Sequence, residues 1–98
     1  MIKESDFIIE ELKKWDKKFD GIHIRYGYDK PSAYHVIEIS PESIRRGDID
    51  YMNTEYKFWE RFSKIYPKSD LLISNPNYNT ECISENLLYD NYYGRVYN

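Results

Sequence analysis

Asp50 to Tyr66 reads DYMNTEYKFWERFSKIY. Placed at about 100° per residue, Tyr51, Met52, Tyr56, Phe58, Trp59, Phe62, Ile65 and Tyr66 fall in one continuous arc. Asp50, Asn53, Thr54, Lys57, Glu60, Arg61 and Lys64 fall in the other. The spacing predicts an amphipathic helix whose apolar arc the rest of the chain must cover. Glu55 breaks the pattern, near the middle of that arc between Tyr51, Met52 and Trp59. A carboxylate there is costly unless it is paired or its pKa rises. Glu55 is therefore one candidate functional residue. Its structural alternative is a bond to a Tyr hydroxyl, to His35 or to Arg45.

The flanks fix the ends of this helix. Pro67 stops it, and Asp48 or Asp50 caps it. Upstream, Ser40-Pro41-Glu42 is a helix-start signal, a hydroxyl cap followed by Pro at the first helical position. Gly47 limits that segment to about one turn.

Before it lie two alternating runs. In Ile22–Tyr28 the residues Ile22, Ile24, Tyr26 and Tyr28 face one way, with His23, Arg25 and Gly27 opposite. In Ala33–Ile39 the residues His35, Ile37 and Ile39 share a face, and Tyr34, Val36 and Glu38 take the other. Both read as strands, and Asp29-Lys30-Pro31-Ser32 is turn chemistry. A four-residue loop at 29–32 sets Tyr26 opposite His35, Ile24 opposite Ile37 and Ile22 opposite Ile39. A slip by one residue would press Ile24 against Glu38. In the expected register His23 lies opposite Glu38, and Arg25 lies diagonal to it.

Glu4 to Phe19 is a first helix, with Ile8, Ile9, Leu12, Trp15 and Phe19 on one face and Glu10, Lys13, Lys14 and Lys17 opposite. Ser5 or Asp6 is its expected cap, and Gly21 suits a left-handed C-terminal turn. Beyond the long helix, Leu71-Leu72-Ile73-Ser74 is a short strand. It is expected to run parallel to the second strand through a crossover, or antiparallel beside the first. Asn75 to Thr80 is a loop. After it, Ser84 to Tyr93 is read as a short helix in preference to an edge strand at Glu81–Glu85.

The fold class that follows is α+β in two layers, in the order α-β-β-α-β. A small three-stranded sheet carries two helices on one face, followed by a short C-terminal helix or edge strand. Residues 1–98 form one domain, with about 76–98 less regular.

Composition narrows function by exclusion. The chain has 98 residues, a net charge of −3 and eleven tyrosines. Charges of both signs are mixed along it, which argues against a nucleic-acid partner, since that would need a basic face. No run suits a membrane span or a signal peptide, so a cytoplasmic location is expected. Cys82 is the only cysteine, so no intrachain disulfide forms. Nothing in the spacing suggests a metal or a cofactor. There is no P-loop, no GxGxxG and no GxSxG. Arg46-Gly47-Asp48 and Asn75-Pro76-Asn77-Tyr78 spell short recognition motifs, but both are ordinary turn sequences.

A second candidate site is the sheet face away from the helices, where His23, Arg25, Tyr34 and Glu38 would gather as a ligand-binding cluster. Glu55 points to the opposite side, so the two candidates cannot form one site. The preferred functional expectation is a small non-enzymatic protein-interaction module. It meets a protein partner or a second copy of itself through tyrosines, and its narrow form is an inhibitor or immunity-type protein that binds a basic partner. The rival is a small ligand-binding domain or enzyme using the His/Arg/Glu cluster on the open sheet face.

Overall fold

Alternating apolar residues and a helix with one apolar side combine into two layers, helices on sheet. The computed structural model describes residues 3–76, 86–92 and 95–96. The elements are α1 (Glu4–Lys18), β1 (His23–Asp29), β2 (Tyr34–Ser40), α2 (Glu42–Arg45), α3 (Ile49–Ile65), β3 (Asp70–Ser74), β4 (Leu87–Asp90) and β5 (Arg95–Val96). The sheet order is β3-β2-β1-β4-β5, with four strands of four residues or more and a two-residue fifth. β3 runs parallel to β2, as the crossover through α2 and α3 requires, and the other pairs are antiparallel.

The mixed α+β class and the element order match the reading of the sequence, but the sheet is wider. Leu87–Asp90, expected inside a C-terminal helix, is instead a strand beside β1. Its neighbour β1 offers an unpaired edge whose N–H and C=O groups need partners, and Tyr89 gains a place in the core opposite Tyr26. The expected edge strand at 81–85, Cys82 and Tyr78 lie outside the described residues.

The hairpin keeps the expected faces but not the expected register. Ile24 pairs with Ile39, Tyr26 with Ile37, Tyr28 with His35 and Arg25 with Glu38. This is a shift of two residues, which leaves every side chain on its face. The apolar pattern fixes only that parity. The turn selects the register: its four residues are Lys30–Ala33, Ser32 donates to Asp29, and Ala33 takes φ 61°.

The core lies between the sheet and α1 with α3. Ile8, Leu12 and Trp15 of α1 meet Tyr51, Phe58 and Phe62 of α3 over Ile24, Tyr26, Ile37, Ile39 and Tyr89. Trp15 stands edge-on to both Tyr51 and Phe58, at centroid distances of 5.4 and 5.6 Å. Glu11 ties the two helices at the rim. It accepts from Trp15 Nε1 at 2.9 Å and from Arg61 at 2.7 Å.

Two caps differ from expectation. Lys3 occupies the N-cap of α1 without a side-chain bond, and Ser5 and Asp6 lie within the first turn. Pro41, not Ser40, precedes α2. Asp48 caps α3 as expected, accepting from the Tyr51 amide at 3.1 Å. Gly21 has φ 83°, which the turn from Phe19 to Ile22 requires.

The apolar arc of α3 is narrower than the pattern indicated. Tyr51, Phe58 and Phe62 are fully buried, whereas Met52, Tyr56, Trp59 and Ile65 are exposed. A helix lying on a sheet beside one other helix covers only part of its circumference.

Candidate functional site

Three groupings of side chains merit a chemical reading, and the first is the cluster expected on the outer sheet face. Alternation along β1 and β2 puts His23, Arg25, Val36 and Glu38 there. β4 adds Asp90, which pairs directly with Arg25. Arg25 Nη1 donates to Glu38 at 3.1 Å, and its Nε lies 3.9 Å from Asp90. His23 Nε2 is 3.1 Å from Asp90, and its ring stacks on Tyr92 at 3.7 Å. Asp90 also accepts from the Tyr92 amide at 3.0 Å.

Three of the four expected residues are thus together. Tyr34 is not with them: it is on the same face, but four residues from Glu38, roughly 13 Å along the strand. It sits with Asp29, Ser32, Val36 and Leu72 around a separate hollow. The expectation of an open, wet face fails as well. Glu38 is 1% exposed, and Val36 and Asp90 are buried. β2 is a central strand with Arg25 on one side and Ser74, in register with Glu38, on the other. Buried carboxylates need a cation and hydrogen bonds, and Arg25 spans both of them. The cluster is satisfied internally, which suits a strut better than a reactive centre.

Glu55 is the second grouping. It sits at the border of the buried face, with its side chain about one quarter exposed at 25%, rather than in the middle of the arc. Tyr51 donates to it at 2.7 Å, and Arg45 Nε lies 3.9 Å away. Burial, then the charge of Glu55, pushes the Tyr51 phenol well above its usual pKa, so Tyr51 remains a donor. Arg45 in turn donates to the Ile73 carbonyl at 2.9 Å and to Asn75 at 3.1 Å, strapping α2 to the end of β3. Of the partners anticipated for Glu55, Tyr51 and Arg45 are present. His35 is elsewhere.

The third grouping was not singled out from the sequence. His35, on the inner face and 7% exposed, bonds Tyr26 Oη through Nδ1 at 2.7 Å and Glu4 through Nε2 at 3.1 Å. Ser69 donates to the same carboxylate oxygen. Neutral His35 with its proton on Nε2 satisfies every member: Tyr26 donates to Nδ1, and Nε2 donates to Glu4. Burial holds His35 below its usual pKa, against a smaller opposing pull from Glu4. Burial also raises the Tyr26 phenol. Two adjoining hollows of about 400 and 350 Å³ share Ser5, Tyr28 and His35 in their walls. A histidine at a core-facing position of β2 was the one sequence signal for this network. Both of its ring nitrogens are occupied, so no lone pair is left for a substrate.

The outer side of α3 is of another kind. Ile49, Met52, Tyr56 and Trp59 follow one another at spacings of three, four and three residues, with exposures of 74%, 45%, 62% and 47%. They form a continuous apolar stripe on a helix already anchored by its opposite side.

Among the described residues no three His, Cys, Asp or Glu side chains converge as a metal site needs, and no helix is long and apolar enough to cross a membrane. Compared with protein-family models, with curated proteins and with solved structures, the chain matches none.

Proposed function

We propose that this chain is a non-enzymatic protein-interaction module whose working surface is the outer side of α3. The exposed stripe Ile49, Met52, Tyr56 and Trp59 is the observation that carries this reading. Single exposed apolar residues are ordinary, but a contiguous row marks an interaction surface. Tyr, Trp and Met are the side chains that interface cores favour. The titratable clusters, by contrast, are occupied by their own partners, which weakens the ligand-binding or enzymatic alternative.

The narrower form is an inhibitor or immunity-type protein of the cytoplasm that meets a basic partner. It draws support from the net charge of −3 and the eleven tyrosines. Its binding weakens as salt rises.

The test is a photo-crosslinking residue placed at Tyr56, with a second placed at Lys13 on the far side of α1 as control. The expected result in the native host is a protein adduct from position 56, absent from position 13 and abolished by Met52→Asp. Equal adducts from both positions, or none from position 56, would reject α3 as the working surface.

A further inference from the structure

We propose that the two hollows beside His35 form one binding site for a free α-amino acid with an apolar side chain. They adjoin, with Ser5, Tyr28 and His35 in the walls of both. Their volumes, about 400 and 350 Å³, lie in the range of small-ligand pockets. The site shares no residue with the exposed stripe of α3 and goes beyond the reading of that surface.

The two lobes differ in chemistry. In the first, Leu87 and Leu88 of β4 join the Tyr28 ring as an apolar wall. Lys30 adds its aliphatic stem there while its exposed ammonium stays in water. The second lobe is bordered by Glu4 and Lys68. Glu4 accepts from both His35 and Ser69 through Oε2 alone. Its side chain is 35% exposed, which leaves Oε1 open. Lys68 is exposed and, among the described residues, has no hydrogen-bond or ion-pair partner. The hydroxyls of Ser5 and Tyr28 are likewise uncommitted.

Opposite charges that border one lobe without pairing select the ligand. A simple anion meets repulsion from Glu4, and a simple cation meets it from Lys68. A zwitterionic head group satisfies both. Its carboxylate accepts from Lys68 Nζ and the Ser5 hydroxyl, and its ammonium donates to Glu4 Oε1. The side chain then runs past Tyr28 into the lobe of Leu87 and Leu88, where an apolar group leaves water. His35 takes part through its ring carbons, because both of its nitrogens are bonded.

The experiment is a titration of the full chain, followed by the amide signals in nuclear magnetic resonance, with phenylalanine, phenylpropionate and phenethylamine. Phenylalanine is expected to shift the amides of Ser5, Tyr28, Ser69 and Leu88. It is expected to bind about tenfold more tightly than either analogue, since each lacks one charged group. Lys68→Gln alters an exposed position and is expected to keep the native circular dichroism, to weaken phenylalanine by about tenfold and to leave phenethylamine no weaker. Glu4→Gln keeps an oxygen for His35 and Ser69, and is expected to weaken phenylalanine but not phenylpropionate. Lys13→Gln, on the far side of α1, is expected to change none of these affinities. Absence of shifts at the four amides overturns the proposal. So does an analogue that binds as tightly as phenylalanine, or an affinity for phenylalanine indifferent to Lys68→Gln. None of these results depends on crosslinking through position 56, so the reading of α3 stands or falls separately.

Discussion

His35 shows how one side chain can be committed by its surroundings. Its imidazole stays neutral because burial outweighs the pull of Glu4. In the unfolded chain the same ring takes up a proton near pH 6.5, its ordinary value. The unfolded state therefore binds more protons between that pH and the lower folded pKa. Stability from neutral His35 is fully present above about pH 6.5 and is lost as the pH falls toward the folded pKa. Protonation would also force Tyr26 to accept where it now donates, stranding a buried hydroxyl proton. The expected outcome is that wild type loses more stability than His35→Gln between about pH 7.5 and 5.5, measured by urea unfolding. An equal loss in both proteins would place the acid sensitivity elsewhere. Gly47 is committed by space alone. A Cβ there would stand 2.4 Å from the Ser43 carbonyl oxygen, a backbone atom that cannot swing away. Gly47→Ala is expected to cost about 1–3 kcal/mol, read as a lower urea midpoint, by pushing α2 away from the Asp48 cap.

At the scale of the element, α3 has two apolar sides with different purposes. Phe58 and Phe62 are fully buried against α1 and the sheet. Trp59, next in sequence, is about half exposed at 47%. Phe58→Ala should therefore cost about 3–5 kcal/mol through the cavity it leaves. Trp59→Ala should change monomer stability by less than about 0.5 kcal/mol. Denaturant unfolding of the two variants at low protein concentration separates them. Similar costs for both would mean that the helix is rotated from the position described. Hydropathy alone could not separate these sides. Burial on the fold and burial on a partner demand the same residue types, so the sequence presents one wide arc where the structure has two narrower ones. Glu55 is misplaced for the same reason. It looks central in the wide arc and is marginal in the true one, close enough to Tyr51 and Arg45 to be paired.

At the scale of the whole molecule, β1 and β2 have neighbours on both sides and hold residues buried on both faces, while among the described residues β3 pairs only with β2. Opening the centre requires breaking the fold, whereas an edge strand can loosen locally. Amide hydrogen exchange is expected to be slowest at Tyr26 and Ile37 and clearly faster at Leu72. Equal protection along β3 would show that its outer edge is covered. Among the described residues no second helical layer covers the outer face of the sheet. In its place, Arg25 bridges Glu38 and Asp90, and Asn91 fastens β4 to β1 by accepting from the Ile24 amide at 2.6 Å and donating to the Ile22 carbonyl at 2.8 Å.

Local periodicity determined the two long helices, the two strands of the hairpin and the existence of the third strand, while its parallel place beside β2 came from the tertiary structure. Each of these depends on which side of a short segment is apolar, and on Gly, Pro and Asp at its ends. The face shared by His23, Arg25 and Glu38 was legible for the same reason, because alternation fixes the side of a strand. Register, the strand at Leu87–Asp90 and the His35–Glu4–Ser69 network were not legible. They join residues far apart in the chain, and the free energy that selects them comes from pairing and burial that exist only once the chain has folded. Tertiary structure alone also divided the rings of α3 into those enclosed by this chain and those left facing outward, since a side chain carries no local mark of what will cover it.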